Sequence, residues 1–294
     1  SHLVDWLIKE NHETVVIDNL SSGKISNINE RAKFYQVDIT DPIEVTQVFE
    51  QERPEMVLHY AAQTSVAFSI INPSVDAMVN IVGSLNVFEA ARKFEVRRMV
   101  LASTGGAIYG EPKTLPCAEG DIQNPLAPYG ISKLTMENFS NSYGLYGLRT
   151  VILRLGNVYG PRQDPNGEAG VIAIFTGKML LGEDIVVYGQ GEQQRDFVYV
   201  DDVVEASMKV LFSKDVGVYN IASGVGVSVN TIIDKLRDLI RWQGKVIHQP
   251  ARTGEVLKIF LSSTKALNAF GWIAKVPLNE GLKKTVTYVG SQAT

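Results

Sequence analysis

The 294 residues carry 28 Lys and Arg against 32 Asp and Glu, a net charge of -4 with 45% hydrophobic residues, which is enough chain to bury a large core in one big domain or in a domain with a smaller lobe. No run of Lys or Arg marks a surface for nucleic acid or an anionic membrane, so neither is an expected partner. No apolar run reaches membrane-spanning length, and the N-terminus lacks the basic-then-apolar layout of a signal peptide. The single cysteine, Cys117, rules out an internal disulfide and fits a reducing cytoplasm. His2, His12, His59 and His248 show no paired metal-ligand spacing, and no metal site is expected.

In chain order, Ser1 to Leu7 reads as the body of a helix. Short β-branched runs then predict strands at 14–18, 33–37, 56–61, 98–103 and 149–155, and 3.6-residue periodicity predicts helices at 75–94 and 129–146. This alternation predicts a doubly wound α/β fold around a parallel sheet covered on both faces. From Gly160 to Arg195 the pattern loosens, and later strands and helices intermix, which predicts a second, smaller mixed lobe without a clean linker. Ser228 is placed as the N-cap of a helix through Ile240, and Ser263 as the start of the next. A strand and turn are expected to be missing ahead of the opening helix, and no G-x-G-x-x-G precedes it. Either the chain lacks its beginning, or the protein has lost part of a dinucleotide site.

The chemistry concentrates at Tyr129-Gly-Ile-Ser-Lys133. A phenol four residues before an ammonium shares its helix face, one turn away, and the cation favours the phenolate, making a general base usable near neutral pH. Thr104, at a separate strand end, is placed to orient a substrate hydroxyl, with Ser103 a competitor for that role. Against this stands a plain structural alternative, with Tyr129 a helix-start aromatic and Lys133 a solvated residue.

Around this pair stand Asp18-Asn19-Leu20-Ser21-Ser22-Gly23, Asp38-Ile39, Tyr60-Ala61-Ala62-Gln63, Asn80, Leu153-Arg154-Leu155-Gly156-Asn157 and Gln194-Arg195-Asp196-Phe197-Val198-Tyr199-Val200. In that order and spacing the chain resembles an extended short-chain dehydrogenase/reductase, a nucleotide-sugar epimerase/dehydratase of the UDP-glucose 4-epimerase type, from Ser1 to Val289. The resemblance implies a Rossmann-like NAD-binding domain over 1–159, N-terminally incomplete, and a mainly nucleotide-sugar-binding lobe over 160–294 with segments returning to the first. It implies NAD held by Asp18, Asn19, Ser21, Ser22, Gly23, Asp38, Ile39, Tyr60, Ala61, Ala62, Gln63, Asn80, Tyr129 and Lys133, with Asp18 on the adenosine ribose favouring NAD over NADP. For Asn80 a cap or core hydrogen bond is the alternative.

The same resemblance places Thr104, Asn157, Val171, Val187, Tyr188, Arg195, Arg252 and Glu255 on a UDP-sugar. Arg195 and Arg252 would pair with the diphosphate, and Val187 and Tyr188 would border the base. An Arg-Asp surface pair remains the alternative for Arg195, and a salt bridge for Glu255. Where dehydratase relatives carry acidic residues after the Ser/Thr, this chain has Gly105-Gly106, which favours epimerisation at C4, interconverting UDP-glucose and UDP-galactose. A 4-epimerase of an N-acetylated or uronic-acid UDP-sugar and an inactive binder of NAD or a nucleotide sugar are the competing readings. A homodimer through 75–94 and 129–146 is also implied, although those apolar faces serve an internal core equally well.

Overall fold

The computed structural model describes residues 1–165, 170–252 and 256–292. They form two compact units that the chain visits alternately. The first holds Ser1–Ser103, Ala127–Arg154 and Val204–Tyr219; the second holds Thr104–Leu126, Leu155–Val203 and Asn220–Thr294.

The chain opens with α1 (His2–Lys9), β1 (Val15–Ile17), β2 (Lys33–Tyr35), α2 (Pro42–Glu52) and β3 (Met56–His59). β1 stops at Ile17, one residue short of the expected strand end, because the Asp18 carboxylate accepts the Leu20 amide at 2.7 Å and Leu20 turns to a φ of 57°. α2 begins where Asp41 accepts the amides of Ile43 and Glu44 and where Pro42, lacking an amide hydrogen, leaves no donor unmet.

The helix expected at 75–94 starts earlier and is not uniform. After α3 (Val66–Ile71), α4 (Pro73–Ala77) leads into a π-helical turn, Met78–Gly83, and then α5 (Ser84–Lys93). Pro73 sets the start, and π turns of this kind concentrate at functional sites. β4 (Arg98–Thr104) is buried at every position and is followed by the short α6 (Gly105–Ile108), then α7 (Pro128–Gly144) and β5 (Thr150–Leu155).

The remainder is β6 (Asn157–Tyr159), α8 (Val171–Leu180), β7 (Ile185–Tyr188), β8 (Gln194–Tyr199), α9 (Val200–Leu211), β9 (Gly217–Ile221), β10 (Gly226–Ser228), α10 (Val229–Ile240), β11 (Val246–Gln249), α11 (Thr264–Phe270) and α12 (Leu278–Gln292). Ser228 caps α10 as expected, accepting the Thr231 amide. Ser263 precedes α11, but its hydroxyl serves the Ala222 peptide instead, accepting from its amide and donating to its carbonyl.

In the first unit β1 and β2 pair in parallel, and β3 and β4 pair in parallel within a second sheet. Val45, Phe49, Phe88, Met99, Leu101, Met136 and Ile152 fill its core between sheet and helices, the Rossmann-like layering that the alternating pattern predicts. The second unit is mixed. β8 is antiparallel to β10 and parallel to β6, and β7 pairs in parallel with β11. Its own core gathers Tyr159, Ile172, Phe175, Ile185, Phe197, Ile232, Leu236 and Trp242. The second unit also takes Thr104–Leu126 from the middle of the sequence.

Candidate active site

Pro128 opens α7, and the backbone amide of Tyr129, one residue on, is satisfied by the Ser69 hydroxyl at 3.1 Å. One turn later Lys133 is only 4% exposed, and its Nζ donates to the Ala102 carbonyl at 2.9 Å. Burial pulls its pKa down to about 8, opposed by the negative charges of Asp76 and Glu137. A lysine held in this way is not a solvated surface residue, although Tyr129 does stand at the helix start.

Two residues that the sequence reading passed over anchor the same region. Glu137, one turn beyond Lys133, forms a buried ion pair with Arg154 of β5 at 2.7 Å and also accepts the Ser103 hydroxyl. The Ser103 side chain is thereby committed to Glu137. Thr104, the last residue of β4 and 8% exposed, makes no capping bond to the helix that follows it. Arg154 lay inside a quoted motif, but its pairing across 17 residues leaves no local spacing to read.

Gly105 and Gly106 differ in what they permit. A Cβ at Gly105 would overlap Leu261, whereas one at Gly106 would lie 3.5 Å from Asn157 Oδ1 and 4.0 Å from Thr104 Oγ1. The structure therefore brings Asn157 and Thr104 together around Gly106. Neither position carries an acid.

In the first unit a set of small and acidic residues surrounds the ends of β1 and β3. A Cβ at Gly23 would sit 3.2 Å from both Asp18 carboxylate oxygens, so the glycine leaves room beside that carboxylate, one oxygen of which accepts the Leu20 amide. Asn19 donates to Asp38 at 2.8 Å and accepts the Ser21 amide at 3.0 Å, and Ser22 completes the exposed turn. The Thr40 amide and hydroxyl, and then Asn19, hold the Asp38 carboxyl below the usual range. Ile39 is buried against Gly83, where any side chain would collide with it at 2.7 Å.

Beyond β3 the Tyr60 hydroxyl meets Ser207 at 2.6 Å, and burial pushes its pKa up to about 12. Ala61 and Ala62 follow with side chains too small to block the backbone. The Asn80 amide then clasps the Gln63 peptide, accepting from its N–H and donating to its carbonyl, both at 2.9 Å. The core hydrogen-bond role for Asn80 is thus realised in the segment expected to face the cofactor. A carboxylate given room by glycine, a second acceptor at Asp38 and a small-residue turn suit a ribose, an amine and a close backbone approach. The residues present fit a dinucleotide.

In the second unit the Arg252 guanidinium lies over the Tyr188 ring, 4.0 Å from its centroid. Val187, next to Tyr188 on β7, points the other way and is 2% exposed in the core, leaving only its backbone to a ligand. Val171 begins α8, half-buried against that core. Arg195 donates to the Gln194 carbonyl at 2.9 Å, whereas buried Asp196 faces elsewhere. Its two oxygens accept the amides of Ser223, Gly224 and Leu261 at 2.7–3.1 Å, and the Ser223 hydroxyl besides. Burial, opposed by these bonds, raises the Asp196 pKa. Glu255 lies outside the described residues. Among the described residues no group of three or more His, Cys, Asp or Glu is arranged to hold a metal, and no helix is long and apolar enough to cross a membrane.

The model of the NAD dependent epimerase/dehydratase family matches residues 1–222. The chain belongs to this family. Over 98% of its length it is 37% identical to the UDP-glucose 4-epimerase of Mycolicibacterium smegmatis, of which it covers 94%. The crystal structure of Thermotoga maritima UDP-glucose 4-epimerase with UDP-glucose is similar over 100% of this chain and 96% of that one, at 45% identity and a TM-score of 0.98. The Thermus thermophilus UDP-glucose 4-epimerase complex with NAD matches at 41% identity and a TM-score of 0.94, covering 98% and 94% of the two chains. The family expected from the order of the motifs and the Rossmann-like fold expected from the alternating pattern stand.

Proposed function

We propose that this chain is an isomerase that epimerises C4 of a UDP-sugar with NAD, interconverting UDP-glucose and UDP-galactose. The observation that carries the reading is the buried Lys133 one turn after Tyr129 on α7. UDP-glucose 4-epimerases in the family at 37–45% identity support the substrate. NAD, when bound, supplies the hydride acceptor that returns the hydride at the end of the cycle. Tyr129, as phenolate, takes the proton from the C4 hydroxyl and gives it back after the 4-keto sugar has turned its other face. Lys133 stabilises the phenolate and binds the nicotinamide ribose, while Thr104 orients the hydroxyl. Gly105 and Gly106 offer no carboxyl group to assist elimination.

On this reading the first unit carries Asp18, Asn19, Ser21, Ser22, Gly23, Asp38, Ile39, Tyr60, Ala61, Ala62, Gln63 and Asn80 for NAD. The second carries Asn157, Val171, Val187, Tyr188, Arg195, Arg252 and Glu255 for the UDP-sugar. Arg252 stacked on Tyr188 supports a cation beside a flat base. A homodimer is part of the proposal. Val75, Met78 and Val82 recur at helical spacing and are 40–50% exposed, and Ile131 and Phe139 of α7 are 52% and 39% exposed, leaving apolar faces for a second copy. The one thiol, Cys117, has no second cysteine to pair with, which supports a reducing cytoplasm.

Tyr129→Phe tests the reading. It removes one oxygen from a helix start, so the fold persists while epimerisation of UDP-glucose falls by at least about 10²-fold. Unchanged turnover in that variant overturns the assignment. A panel of N-acetylated and uronic-acid UDP-sugars, read by product isomer, fixes the substrate, and light scattering reports the dimer.

A further inference from the structure

Asp76, on α4, is fully buried, and every group that hydrogen-bonds to it is neutral. One oxygen accepts Gln63 Nε2 at 2.7 Å and Asn80 Nδ2 at 3.0 Å; the other accepts the hydroxyl of Ser132. A buried carboxylate without a countercharge is strongly disfavoured, and three neutral donors do not neutralise it. Ser132, which donates to it, is followed directly by Lys133, a buried cation on which Asp76 acts electrostatically ahead of Glu137.

The other charged and titratable groups around Lys133 do not take this place. Glu137 is already paired with Arg154 at 2.7 Å, and its effect on Lys133 ranks behind that of Asp76. His59 on β3 is uncharged, its pKa driven to about 3 by burial and then by Lys133. Because the Ser84 hydroxyl donates to the Asn80 carbonyl, His59 Nε2 must be the donor in their 2.9 Å contact, which makes the ring a neutral member of the same network. Tyr129 shares the helix face of Lys133 and is the group that Lys133 serves.

We propose that Asp76 is the positioning residue of the proton-transfer pair. It is the buried counter-ion that keeps Lys133 charged, and it ties α7 to the Gln63 segment and to the π turn at Asn80. The three attachments come from three segments, so a single carboxylate sets both the charge of Lys133 and the register of the turn that precedes it against the Gln63 peptide. This rests on the proposed function only for its consequence in turnover; the charge coupling stands apart from any substrate.

The coupling is read directly by titrating the full chain labelled with 13Cε-lysine, with the Lys133 resonance assigned by its loss in Lys133→Met. Asp76→Asn keeps the shape but removes the charge. The Lys133 midpoint is expected to move acidward by about one unit or more, and the basic limb of the kcat profile for UDP-glucose epimerisation is expected to move with it. Ser132→Ala leaves the charge and removes a donor that opposes its field, so the midpoint moves basicward. An unmoved midpoint in Asp76→Asn, or one that falls or stays still in Ser132→Ala, overturns the proposal. Ser132→Ala decides alone if Asp76→Asn does not fold. Shifted midpoints in a chain that turns over no UDP-sugar would sink the proposed function and leave the coupling intact.

Discussion

Replacing Arg154 by Met gives the sharpest test of what holds α7 against β5. Arg154 and Glu137 are 4% and 3% exposed and meet at 2.7 Å, with Nε of Arg154 also 3.1 and 3.2 Å from the two carboxylate oxygens. Neither can turn to water. Arg154→Met leaves the Glu137 carboxylate buried with Ser103 as its named remaining donor, and removing one member of a buried pair costs about 3–5 kcal/mol. Removing both is a different perturbation. Glu137→Leu with Arg154→Met deletes both desolvated charges and leaves the Ser103 hydroxyl without that acceptor, a loss of about 1–3 kcal/mol.

The assay is urea unfolding of the wild type, both single variants and the double variant, with midpoints compared at equal slope. The double variant is expected to be more stable than Arg154→Met by about 2 kcal/mol. If the effects of the two single substitutions simply add, the pair is not a coupled buried ion pair, and the reasoning that ties Ser103, Glu137 and Arg154 into one anchor is wrong.

Lys133 also makes stability depend on pH. Its folded pKa of about 8 lies below the ordinary 10.5, so between these values the unfolded chain holds a proton that the folded chain has lost. Stability therefore rises with pH through that window, by up to about 3 kcal/mol relative to Lys133→Met; a flat difference between pH 8 and 10.5 refutes the burial. Gly105→Ala drives a methyl into Leu261 and should cost about 1–3 kcal/mol in a thermal melt, whereas Gly106→Ala, with 3.5 Å to its nearest neighbour, should be much milder. Ser228→Ala removes the cap of α10 and should cost about 1 kcal/mol by urea unfolding with the slope unchanged.

Elements with a strong local period were legible from residue order. The strand at 98–103, the helix beginning near Tyr129 and the Ser228 cap rest on patterns within one or two turns of chain, and burial of Met99 to Ala102 in β4 is what their continuous apolar run predicts, whereas burial of Arg98, Ser103 and Thr104 is not. The 75–94 helix was legible as a helix but not as one interrupted by a π turn. That turn carries Asn80, whose amide clasps Gln63 across 17 residues, and nothing in a local period encodes such a partner.

The shared helix face of Tyr129 and Lys133 was determined by sequence alone, because helix geometry places residues four apart on one side whatever surrounds them. Only the tertiary structure decided what environment that face meets. It buried Lys133 against Ala102, gave Ser103 to Glu137 while Thr104 lies with Asn157 around Gly106, and set Asp76 among three neutral donors beside Ser132. The division has a physical cause. Backbone periodicity is written every three or four residues, whereas desolvation and charge pairing depend on residues brought together from distant parts of the chain.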